Sequence, residues 1–240
     1  MPSSRALSFD YAAAVAHLSK SDRRMAKLIE KSVAYEMNAP ETQTPYESLL
    51  RAIVYQSISG KAAKVIYDRI RALGSDGECP SPEEVLRIGK TALRKAGLSF
   101  AKIAAVRDLA HKTIDGVVPT LEEAHKLSDQ ELVDRLVSVR GIGAWTVEMF
   151  LIFRLGRPDV LPIHDLGVQK GFALTYGKKS MPKPKELAKF GERWRPYRTV
   201  ASWYMWRAVE HAGKLARTIT KVTKIKVIVK KKKPLRRKPA

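Results

Sequence analysis

The run Leu136-Val-Ser-Val-Arg-Gly141-Ile-Gly143-Ala-Trp-Thr-Val147 constrains the fold more than any other stretch of this chain. Leu132, Leu136 and Val139 recur at helical spacing behind a Ser128-Asp-Gln-Glu131 capping pattern, Gly-Ile-Gly turns the chain, and a second helix starts at about Ala144. The expected unit is a helix, a tight turn and a helix over about residues 132–154. The glycines permit positive φ and close backbone approach. A helix start also turns N–H groups and the positive end of its dipole outward. Two readings follow. The segment is either a plain turn between helices, or a turn that holds a phosphate on Gly141, Gly143, Ala144 and Thr146, with Arg140 beside them. Gly-x-Gly alone does not decide between them.

The rest of the chain also reads as helix, so the expected class is all-α. Ser81-Pro82-Glu83-Glu84 sets out an N-cap, a first-turn proline and acids that suit a helix start. Residues 101–114 form an amphipathic run closed by Gly116, residues 45–73 two helices broken near Ser57–Gly60, and 184–194 and 197–212 the last two helices. The single cysteine, Cys79, cannot form an internal disulfide and excludes a cysteine-ligated cluster. It reads as a loop thiol in a reducing compartment. Nothing at the N-terminus resembles a signal peptide, and no apolar run is long enough to span a membrane. The protein is therefore expected inside the cell, in the cytoplasm or nucleoid of a bacterium or the nucleus of a eukaryote.

Charge narrows the partner. The chain carries 45 basic and 24 acidic residues, a net +21. Residues 214–240 hold twelve of the basic ones and no acid, which leaves a body, residues 1–213, at +9. A polyanion is the fitting partner for such a body. The tail, with its β-branched run 218–229 and Lys230-Lys-Lys-Lys-Pro-Leu-Arg-Arg-Lys238, is expected to be disordered, with a short strand at 222–229 left open. It is either a DNA tether acting by counterion release or a solvated appendage.

About twenty residues past the hairpin lies Leu161-Pro-Ile-His-Asp165-Leu-Gly-Val-Gln-Lys170, a loop that ends in a carboxylate at a helix start. That carboxylate is either a simple N-cap or a catalytic group. The pair of segments resembles the helix-hairpin-helix DNA glycosylases, in particular the 3-methyladenine DNA glycosylase II branch. Two more stretches carry the resemblance: Leu50-Arg-Ala-Ile-Val-Tyr-Gln56-Ser-Ile-Ser59-Gly-Lys-Ala-Ala63, and Glu192-Arg-Trp-Arg-Pro-Tyr-Arg198 continuing to Trp206. It spans about residues 45–212.

The resemblance implies a two-lobed all-α body with Asp165 at the edge of the cleft. It also implies a monomer that flips damaged purines out of duplex DNA and hydrolyses their N-glycosidic bonds. Asp165 would be the catalytic carboxylate. Trp206, Trp145, Met149 and Tyr55 would line the base pocket, while Trp194 and Trp203 are expected in the core. Ile58, or its neighbours Ser57 and Ser59, would wedge the DNA. Trp145 stands where strand-cutting relatives carry a Schiff-base lysine, so a monofunctional enzyme is expected. His164 would orient the loop or touch the DNA backbone, and Lys170 matches nothing catalytic. No cofactor is required, though the carbonyls of Val137, Val139 and Ile142 resemble a Na+ or K+ site. The competing reading is a DNA-binding or damage-sensing protein without activity on the same scaffold.

Overall fold

The computed structural model describes residues 9–34, 44–75 and 77–213, and among these the regular structure is helical, with no strand. The tail 214–240 and the possible strand at 222–229 lie outside the described residues, as do residues 1–8. The chain divides into two compact units.

The first unit holds α3 (Pro45–Tyr55), α4 (Gly60–Arg71), α5 (Pro82–Arg87), α6 (Lys90–Ala96), α7 (Phe100–Ile114), α8 (Leu121–Lys126), α9 (Asp129–Leu136) and α10 (Ala144–Phe153). Local chemistry sets most of these starts. Ser128 closes the expected capping box with Glu131, and the expected N-cap Ser81 forms one with Glu84, as do Thr44 with Glu47 and Thr120 with Glu123. The break near residues 57–60 is present, with Ser59 Oγ accepting the amide of Ala62 at 3.3 Å. The core is made by Leu49, Leu50, Ile53 and Val54 of α3, Val106 and Leu109 of α7, Leu132 and Leu136 of α9, and Val147 and Leu151 of α10. Each such side chain, fully buried, contributes about 1.5–3 kcal/mol.

Cys79 lies in this unit beside Tyr67, and burial pushes its thiol up to about 12. The thiolate fraction at pH 8 is then on the order of 10^-4. Iodoacetamide at that pH is expected to label the folded protein far more slowly than the urea-unfolded chain. Equal labelling rates would contradict the burial.

The second unit holds α1 (Tyr11–Ser21), α2 (Arg23–Glu30), α11 (Leu166–Tyr176), α12 (Pro184–Gly191), a 3-10 turn (Glu192–Trp194) and α13, residues 198–213. The expected helix 184–194 tightens into that 3-10 turn for its last three residues. Phe172, Tyr176, Phe190 and Trp194 interlock with ring centroids 4.5–6.4 Å apart. Asp22 is buried among them. Its Oδ1 caps α2 by accepting the amides of Arg24 and Met25, and its Oδ2 accepts from the Tyr176 hydroxyl and the Trp194 indole. Burial, reinforced by this carboxylate, raises the Tyr176 pKa above the ordinary phenol range. Trp194 and Trp203 are both core residues, as expected.

Candidate functional site

The hairpin forms where the sequence puts it. Helix α9 ends at Leu136, and α10 starts at Ala144 with Gly143 as its N-cap. Gly141 has φ 79°, and a Cβ there would come 3.3 Å from the Ala105 methyl, so both turn geometry and packing call for glycine. Gly143 differs from the expectation. Its φ of −103° is extended, and a Cβ would meet open space, so its role is to start α10 without a capping side chain. The Arg140 amide donates to Asp108 Oδ2 at 2.7 Å, and the Arg140 side chain is exposed. Thr146 donates its amide to the Gly143 carbonyl at 2.9 Å and is buried on the pocket side of α10.

Between α3 and α4, the loop holds the three residues expected to include the wedge, and it holds them in distinct states. Ser57 takes φ 58°, a left-handed conformation for a residue other than glycine. Ile58 is 38 % exposed. Ser59 is committed to capping α4. Of the three, Ile58 alone offers an apolar side chain to solvent.

Helices α3 and α10 enclose a cavity of about 510 Å³. Tyr55, Trp145 and Met149 meet in its wall, with Ser57 at the loop end. Sequence reasoning missed Phe150, Phe153, Arg51 and Arg154, which line it as well. Phe153 lies four residues past Met149 and eight past Trp145, a spacing that places all three on one face of a helix. Arg51 sets its guanidinium carbon 4.2 Å from the Tyr55 ring centroid. Trp145 stays 46 % exposed, an unusual state for so large an apolar residue. A mostly apolar, aromatic-walled cavity of this size suits a flat heterocycle.

In the second unit, Asp165 is the N-cap of α11. Its Oδ1 accepts the Val168 amide at 2.7 Å and the Trp206 Nε1–H at 2.8 Å. The cap and the expected site residue are thus one and the same. Gln169, also missed, donates its amide to the Ile163 carbonyl at 2.7 Å and ties down the loop that leads into Asp165. His164 and Lys170 are exposed. The indole reaches the carboxylate because residue 167 is glycine: a Cβ there would lie 2.7 Å from Trp206 Cδ1 and 3.0 Å from Asp165 Oδ1. One turn later Gly171 touches the Met205 backbone. The signal for this pair, Gly167-x-x-x-Gly171 directly after the aspartate, was available in the sequence.

Comparison with known proteins bears on this arrangement. Residues 50–196 match a family described as HhH-GPD superfamily base excision DNA repair protein. DNA-3-methyladenine glycosylase 1 of Schizosaccharomyces pombe is 38% identical over 192 residues, covering 80% of this chain and 84% of that protein. The fold is similar to that of the S. pombe 3-methyladenine DNA glycosylase in complex with abasic DNA, with TM-score 0.74 and 37% identity over 81% of this chain and 95% of that one. It is equally similar to a DNA-3-methyladenine glycosidase from Bacillus halodurans, with TM-score 0.74 and 35% identity over 85% and 91% of the two chains.

Proposed function

The chain belongs to the HhH-GPD superfamily of base excision DNA repair proteins, and from that premise we propose that it is a monofunctional glycosylase that hydrolyses alkylated purines out of duplex DNA. That it is a DNA glycosylase of base excision repair follows from the family and its relatives. The alkylated substrate and the absence of strand cleavage are the proposal. The relatives' names support the substrate class, and Trp145, in place of an amine, supports simple hydrolysis.

The observation that carries the chemistry is the Asp165 carboxylate, held by Val168 N–H and Trp206 Nε1–H on one oxygen. As the bond from C1′ to the purine nitrogen lengthens, its electron pair leaves with the base and positive charge builds on the deoxyribose. A fixed carboxylate stabilises that charge and orients the water that then bonds to C1′ and releases its proton to solvent. A base already made cationic by alkylation leaves as a neutral molecule, so this route needs no general acid. The cavity between α3 and α10 would receive the flipped base, with Trp145 as the exposed stacking surface, since the Tyr55 ring already carries Arg51.

On the DNA side, Ile58 would fill the space the base vacates. The amides at Gly143 and Ala144, with Arg140 nearby, would hold a backbone phosphate. The carbonyls of Val137, Val139 and Ile142 belong to the same proposal: neutral oxygens suit Na+ or K+, and these would hold a monovalent cation that would add positive charge for phosphate binding. Incubation with duplex DNA methylated by dimethyl sulfate is expected to release methylated purines and leave the strand intact until alkali is added. Strand scission without alkali would overturn the monofunctional reading. Binding without any release would favour a damage-sensing protein.

A further inference from the structure

One stripe of α7 holds both of the first unit's turns that would meet DNA. Lys102, Ala105, Asp108 and Lys112 follow at steps of three, three and four residues, so they lie along one face of the helix. At its start, Lys102 Nζ donates to the carbonyls of Val54 and Gln56 at 2.7 Å each, the last turn and the cap of α3. Farther along, the Ala105 methyl lies beneath Gly141, Asp108 Oδ2 accepts the Arg140 amide at 2.7 Å, and Lys112, ion-paired with Asp108 at 3.3 Å, donates to the Ser138 carbonyl. Gln56 closes the circuit with Nε2 on the Gly141 carbonyl at 2.9 Å. The segment that leads into the wedge is thus bonded to α7 and to the hairpin at once.

We propose that this stripe is the ruler that sets the wedge loop against the phosphate-binding hairpin, with Lys102 as a positioning residue for base flipping. The inference rests on the reading of residues 57–59 as the wedge. Its physics is local. The end of α3 presents carbonyls with no partner inside the helix and the negative end of its dipole, and an ammonium answers both. Next in the chain stands Ser57 in its left-handed conformation, a state that persists where the surroundings over-determine it. Lys102 on one side and Gln56 on the other supply that determination. A loop ordered before DNA arrives does not lose conformational freedom again when the wedge enters, which favours insertion.

The test uses the full chain and a duplex in which 2-aminopurine neighbours a tetrahydrofuran abasic analogue. Its fluorescence reads the change in stacking when the wedge enters, and no excision is needed. Lys102→Met is expected to lower the insertion equilibrium about tenfold, with the melting midpoint close to wild type. Lys102→Arg, which can still donate to both carbonyls, should restore most of it. On an Ile58→Ala background, Lys102→Met should cost nothing further, because a merely structural lysine would not be masked by the wedge. If Lys102→Met does not fold, Gln56→Ala carries the same test with the same expected masking. An unchanged equilibrium in the single variant, or a full additional loss on the Ile58→Ala background, overturns the proposal. A wild type that binds with no fluorescence change overturns it as well. A wild type that inserts its wedge but releases no base would sink the glycosylase substrate reading alone and leave the ruler standing.

Discussion

Asp165→Asn is expected to slow single-turnover release of methylated purines by about 10^2–10^3-fold, the range seen when one aimed electrostatic group is removed from an active site. Folding and DNA binding should stay near wild type. The reasoning turns on what the amide keeps. Its side-chain oxygen would still face the Val168 amide and the Trp206 indole, so both hydrogen bonds, at 2.7 and 2.8 Å, have an acceptor. What is lost is the negative charge, which in the proposed mechanism stabilises the developing cation, while the second oxygen becomes an N–H donor. Asp165→Ala is the poorer experiment: it also removes the cap of α11, at about 1 kcal/mol, and leaves the indole N–H without this partner. Single-turnover kinetics at saturating enzyme, with melting curves for both proteins, separate the cases. An Asp165→Asn protein that keeps a third or more of the wild-type rate would remove Asp165 from the chemistry. A slow variant with a matching fall in melting temperature would mark the residue as structural.

Much of the fold was legible because its signals are local. Ser81 and Ser128 announce their helices through an acid three residues on, and Pro82 through its fixed φ. Gly141 was legible as a turn, while Gly143 was misread: position in a Gly-x-Gly pair does not say which member needs positive φ. The pocket was less visible. Helix α10, Ala-Trp-Thr-Val-Glu-Met-Phe-Leu-Ile-Phe, is apolar on nearly every side, so periodicity cannot tell the core face of Val147 and Leu151 from the cavity face of Phe150 and Phe153. Tyr55, Trp145 and Met149 were named through the family resemblance, not through pattern. Lys102 and Asp108 were out of reach for another reason. Each is an ordinary polar residue of an amphipathic helix, and its partner lies 46 or 32 residues away in the chain.

Gly171→Ala is expected to be the most damaging single-methyl change among the described glycines, and the reason lies in what the methyl would strike. Its Cβ would overlap the Met205 carbonyl and sit 2.8 Å from the Met205 Cα. These are backbone atoms of α13, which no rotamer change can move aside. The helices α11 and α13 would have to separate. That would loosen the ring cluster of Phe172, Tyr176, Phe190 and Trp194, and it would draw Trp206 away from Asp165. A cost of roughly 3 kcal/mol or more is expected, which for a chain of this length lowers Tm by about 6–12 °C.

Gly167→Ala makes the instructive contrast. There the methyl meets the edge of the Trp206 ring, a side chain able to swing, so stability should fall less while excision falls through the lost indole bond to Asp165. Gly60→Ala, where a Cβ meets nothing within 4 Å on the first turn of α4, serves as the control and should melt at or slightly above wild type. A Gly171→Ala protein that melts within about 2 °C of wild type, on the order of 0.5–1 kcal/mol, would show that the two helices have room to part. The close approach of α11 and α13 would then not be what holds the indole on the carboxylate.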